Sequence, residues 1–229
     1  MPQSIRVDVS PSDHVSAVLY PSAAANAAGV TMILGHGAGA NQNSGFMVSY
    51  AEQLAARGID TVTFNFLYTE RRRRLPDRND ALEACYRSVI DAFADRVAHQ
   101  TSGRNRVAIG GKSMGGRIAS QVAAKHPVDL LGLVFLGYPL HPPGKPEQLR
   151  SKHLSQIRAP MLFVQGSRDA FGTPEELQPI VRNLPAPVEL YVVDGGDHSF
   201  KVAKKSGVPQ QQVHGLILDH VAQWLRAHR

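Results

Sequence analysis

Short apolar runs alternate with longer stretches in which apolar residues recur every three or four positions, and this alternation persists along the chain. The runs at 30–34, 107–110, 130–136 and 161–164 are nearly all apolar, as strands buried on both faces are. Half-polar runs at 5–9, 15–20, 61–66 and 188–193 bring the predicted strands to eight. Pro11-Ser12-Asp13 marks a turn between the first two. Helical periodicity occupies 47–57, 80–98, 117–125, 174–183 and 211–227, and Gly58 stops the first of these. The last carries Leu216, Val221, Trp224 and Leu225 on one predicted face. This order predicts one α/β domain over residues 1–229, with helices on both faces of a mostly parallel sheet. Such sheets bind ligands beyond the carboxyl ends of their strands.

One of those ends carries distinctive chemistry. Gly111-Lys112-Ser113-Met114-Gly115 lies between the strand at 107–110 and the helix at 117–125. A serine between two glycines at a strand-to-helix junction is the pattern of a nucleophile elbow, in which a tight turn lifts the hydroxyl above the sheet edge. The same short pattern also occurs as a turn without chemistry. Gly111-Lys112-Ser113 further matches the tail of a phosphate-binding loop, but that loop requires glycine at position 106, where Arg106 stands. The residues between are strand formers, so an NTPase would lack its cradle.

Serine is a weak nucleophile without help, so the elbow calls for a base, an acid and an oxyanion hole. His198 follows the last strand in Asp194-Gly195-Gly196-Asp197-His198, a loop loose enough to carry an imidazole over the sheet edge. Asp169 follows the preceding strand and is the expected acid, with Asp194 in reserve. Asp197 adjoins the histidine directly, which makes a bond to its Nδ1 awkward. The chain order Ser113, Asp169, His198 is the nucleophile–acid–histidine order of α/β-hydrolases. The oxyanion donors are expected to be the N–H groups of Met114, at a helix start, and of Ala38 in His36-Gly37-Ala38-Gly39. His36 and Gly37 are candidate substrate-contact residues, although a bracing role suits His36 better.

Composition narrows the rest. The chain has 229 residues, 43% hydrophobic and 19% charged, ordinary for a soluble globular protein. No apolar run is long enough to cross a bilayer, and the amino terminus lacks the basic and apolar regions of a secretory signal. The single cysteine, Cys85, permits no internal disulfide and is expected in the core of a cytoplasmic protein. The net charge of +6 owes much to Arg71-Arg72-Arg73-Arg74. With no basic stripe interleaved with aromatics, nucleic acid is not the expected partner, and a solvated loop is the plainer reading. Because the run follows a strand at the catalytic edge, Arg73 and Arg74 are also candidates for holding an anionic substrate. Histidine spacing offers no metal site, and neither a metal nor a cofactor is expected.

Taken together, the His36-Gly37-Ala38-Gly39 loop, the Phe64-Asn65-Phe66 strand and the Gly-Lys-Ser-Met-Gly-Gly elbow resemble the α/β-hydrolase superfamily. Within it the chain is similar to small dienelactone-hydrolase-like serine esterases, and to a group that includes the hydrolase-like domain of a histone-acetyltransferase complex subunit. The resemblance runs from residue 30 to the closing helix. It implies an α/β-hydrolase fold and a serine hydrolase acting on a small-molecule ester, with thioesterase, small peptidase or a non-catalytic interaction module as alternatives. Dienelactone hydrolases carry cysteine where Ser113 stands, so their substrate is not implied. Only residues 140–159 separate the strand at 130–136 from the next. They hold one candidate short helix at 147–156 and are too few for a large lid domain, which predicts a shallow site for short acyl groups.

Overall fold

The computed structural model describes residues 1–101, 106–126, 129–204 and 207–229. Eight strands form one sheet: β1 (Gln3–Asp8), β2 (His14–Tyr20), β3 (Val30–Gly35), β4 (Asp60–Phe64), β5 (Arg106–Lys112), β6 (Gly132–Leu136), β7 (Met161–Gly166) and β8 (Val188–Val193). Their spatial order is β1-β2-β4-β3-β5-β6-β7-β8. The first two pairings, β1 with β2 and β2 with β4, are antiparallel, and every pairing from β4 to β8 is parallel.

The helices are α1 (Gly45–Ala56), α2 (Leu67–Glu70), α3 (Asn79–Thr101), α4 (Met114–Lys125), α5 (Pro174–Val181) and α6 (Gln210–Ala227). The apolar strands explain why helices cover both faces. β3, β6 and β7 are buried at every position, so successive side chains need cover on opposite sides. Ile33 belongs to one apolar cluster that also holds Tyr86 and Val89 of α3, Ile118 of α4 and Leu177 of α5. Its neighbours Met32 and Leu34 belong to a second cluster on the other face, with Tyr50 and Leu54 of α1 and Leu218 and Trp224 of α6. Full burial of such side chains is worth about 2 kcal/mol each before the entropy of ordering them is counted.

Three details differ from the sequence reading. The strand predicted at 61–66 ends at Phe64, and the unforeseen α2 follows it. The short helix predicted at 147–156 is confined to a 3-10 turn at Lys152–Gln156. Leu216 is 52% exposed; the buried stripe of α6 runs instead through Val213, Ile217, Leu218, Val221, Trp224 and Leu225. With apolar residues at 216, 217 and 218 in a row, periodicity alone leaves the centre of the stripe uncertain by one residue.

The sheet reverses its winding at β3, which has β4 on one side and β5 on the other. The crevice at such a reversal lies between the loops that leave the two central strands. Here those loops carry Ala38 and Ser113.

Candidate active site

Ser113 sits at φ 51° and ψ −114°, a costly conformation for a residue with a side chain, between the end of β5 and the start of α4. The elbow holds because its glycines let backbones nearly touch. A Cβ on Gly111, which itself has φ 152°, would stand 2.2 Å from the carbonyl oxygen of Gly35. A Cβ on Gly115 would stand 2.0 Å from that same oxygen. The close approach locks the elbow against the end of β3, where the His36-Gly37-Ala38-Gly39 loop begins.

Ser113 Oγ lies 2.9 Å from Nε2 of His198. The Nδ1 of that ring lies 2.8 Å from Oδ2 and 3.0 Å from Oδ1 of Asp169. Asp169 is buried, and its carboxylate also accepts from Gln165 Nε2 at 2.8 Å and from the Phe171 N–H at 2.8 Å. The other two acids near the histidine in sequence make no hydrogen bond to its ring among the described residues. Asp197 caps its own turn by accepting from the Ser199 and Lys201 N–H groups, and Asp194 is exposed. The Phe171 ring stacks obliquely on His198 at 4.2 Å between centroids.

The Met114 N–H opens α4, where the helix dipole favours negative charge. Ala38 shares with Gly37, Ser113, Met114 and His198 the lining of a cavity of about 610 Å³. Neither the Met114 nor the Ala38 N–H has a hydrogen-bond acceptor among the described residues. They are the donors expected of an oxyanion hole.

His36 does not face this cavity. It is fully buried, its Nδ1–H donates to Gly37 O at 2.9 Å, and its Nε2 accepts from the Phe66 N–H at 3.2 Å. Burial holds its pKa below the usual value, so the ring is a neutral brace joining the β3 loop to the segment after β4. Gly37 does line the cavity. Arg73 and Arg74 do not: they border an adjoining hollow with Leu75 and Arg78, which shares only Pro76 and Asp77 with the cavity among the described residues. Arg73 is paired with Asp77 at 2.5 Å, and Arg71 with Asp13 at 2.5 Å. Arg71, Arg72, Arg73 and Arg74 are all exposed.

Three neighbours of the site escaped the sequence reading. Gln165 is the polar end of an otherwise apolar buried strand, and that anomaly was its signal. Lys112, inside the elbow motif itself, donates to the His198 carbonyl oxygen at 2.5 Å and lies 5.7 Å from the Phe200 ring centroid. Burial pushes its pKa down to about 8. Phe171 is an ordinary apolar residue in sequence, and nothing there marks it.

Over residues 28–226 the chain matches the Alpha/beta hydrolase domain family, and it belongs to that family. Among solved structures it is similar to an alpha-beta serine hydrolase homologue from Coxiella burnetii, at 21% identity and a TM-score of 0.70, covering 98% of this chain and 96% of that one. An α/β serine hydrolase without lid from Xanthomonas campestris shares 19% identity with a TM-score of 0.73, covering 97% and 94%. A dienelactone hydrolase from Anabaena variabilis shares 21% with a TM-score of 0.71, covering 97% and 96%. At these identities the likeness is one of fold. The link between β6 and β7 holds only the Lys152–Gln156 turn, so no lid domain covers the cavity.

Proposed function

We propose that this chain is a serine hydrolase that cleaves small, short-acyl carboxylic esters through an acyl-enzyme. The observation that carries the reading is the unbroken relay from Ser113 Oγ through His198 to Asp169. Ser113 Oγ attacks the ester carbonyl carbon while His198 Nε2 takes its proton. The Met114 and Ala38 amides receive the charge that develops on the carbonyl oxygen, each such donor being worth about 3 kcal/mol in the transition state. Collapse expels the alcohol, which takes the proton from His198, and the acyl group remains on Ser113. Water, giving its proton to His198, then attacks the acyl carbon; the acid leaves and Ser113 regains its proton. Asp169 holds the imidazole in the tautomer that leaves Nε2 free to accept, and it stabilises the imidazolium. The uncovered cleft supports short acyl groups over long chains.

The test is hydrolysis of 4-nitrophenyl acetate by the wild type and by Ser113→Ala, with labelling of Ser113 by a fluorophosphonate. Loss of both in the variant supports the proposal. A variant that still turned over at the wild-type rate would refute it.

A further inference from the structure

We propose that Arg117 and Arg150 form an anion-binding subsite of this cavity, so that its substrate is an ester bearing a carboxylate or phosphate. The inference rests on the hydrolase reading above and names the class of molecule it acts on.

Among the described residues, four formally charged side chains other than His198 line the cavity, and three are cations: Lys112, Arg117 and Arg150. The fourth, Asp77, is already matched by Arg73 at 2.5 Å, and Lys112 is engaged with the His198 carbonyl. The two arginines have no such match. Among the described residues the Arg117 side chain donates only to neutral amide oxygens, Asn79 Oδ1 and Gln121 Oε1, each at 3.3 Å. The Arg150 side chain has neither a hydrogen bond nor an ion pair among the described residues, although its backbone is fixed. Its N–H donates to Leu140 O at 2.8 Å, and its carbonyl accepts from the Tyr138 hydroxyl at 2.8 Å. Glu83, whose charge reaches Arg117, is held by Lys125 at 2.6 Å.

Both guanidinium groups are half-buried and line the same cavity. Burial and then the Arg150 charge pull the Arg117 pKa below its usual value. An anion placed between them reverses that penalty, and their planar forks suit the paired oxygens of a carboxylate or phosphate. Arg117 lies one helical turn beyond the nucleophile, its N–H donating to Ser113 O at 3.1 Å. One half of the subsite is therefore built into the helix that carries the elbow, and the other, Arg150, into the link between β6 and β7. A cavity of about 610 Å³ is roomy for a small ester and a charged tail.

The experiment compares two esters, one with a charged and one with a neutral tail, 4-nitrophenyl hydrogen glutarate and its methyl ester, at pH 7.5, reading release of 4-nitrophenol. The charged ester should have the higher kcat/KM by about tenfold or more. That ratio should fall toward one in Arg117→Gln and in Arg150→Gln, and be partly kept in Arg150→Lys. Calorimetric titration of Ser113→Ala with glutarate and with inorganic phosphate separates the two anion classes and reads binding without turnover. Binding should disappear when Arg150→Gln is added. Turnover of both esters at a ratio near one, or a ratio unmoved by either glutamine variant, overturns the subsite and leaves the hydrolase standing. Arginine-dependent anion binding with no turnover of either ester does the reverse.

Discussion

Gln165 Nε2 donates to Asp169 Oδ2 at 2.8 Å, four residues along the chain and fully buried. The same amide nitrogen reaches Gly172 O at 2.7 Å, and its oxygen accepts from the Tyr138 N–H at 2.8 Å. One side chain thus ties the carboxylate to the ends of β6 and β7. Gln165→Leu removes these bonds and strands a buried N–H and C=O, at about 1–3 kcal/mol for each unsatisfied group. The expected result is a lower melting temperature, together with a fall in kcat of up to about a hundredfold as the Asp169–His198 geometry loosens. Steady-state kinetics well below the variant's melting temperature separates the two effects. An unchanged kcat would remove Gln165 from any positioning role.

Gly115→Ala should be among the most damaging single-methyl substitutions in the chain. The added carbon would lie 2.0 Å from Gly35 O and 2.3 Å from Gly35 C, both backbone atoms with no rotamer to relieve the clash. A loss of about 3 kcal/mol or more is expected in urea unfolding. Gly215→Ala supplies the contrast: it lies inside α6 with no atom within 4 Å of the added carbon. There helix propensity should dominate, with a gain of about 0.5–1 kcal/mol.

Lys112 gives a signature in pH. The folded protein releases this proton near pH 8, whereas the unfolded chain keeps it to about 10.5. Between those values the unfolded state binds more protons, so this group makes the protein more stable as pH rises. Below pH 8 that contribution is absent. Comparing urea unfolding of the wild type with Lys112→Met from pH 7 to 10.5 should show a rising component in the wild type that the variant lacks. Parallel curves would contradict the depressed pKa.

The succession of strands along the chain and the elbow pattern were legible because both rest on local signals. Apolar runs such as 161–164 mark buried strands, and a glycine-flanked serine marks a bend. Ser113, Asp169 and His198 lie 29 residues or more apart in sequence, yet each follows a strand that ends at the same edge. Reading topology therefore sufficed to suspect their meeting. The supporting contacts are another matter. Lys112 reaching His198, and Phe171 lying on its ring, depend on how loops from β5, β7 and β8 fold over one another, which no periodicity records. The arginine run misled for a similar reason. Position after β4 suggested the catalytic edge, but Arg71 and Arg73 are paired with Asp13 and Asp77, and neither Arg73 nor Arg74 lines the cavity.

The near-contact of Gly35 with the elbow has a thermal consequence. The loop bearing the Ala38 amide is fastened to the centre of the sheet, not hung on a hinge. No separate melting of that loop should silence the molecule ahead of global unfolding. Turnover and fold are thus set to fail at one temperature, when the central strands come apart.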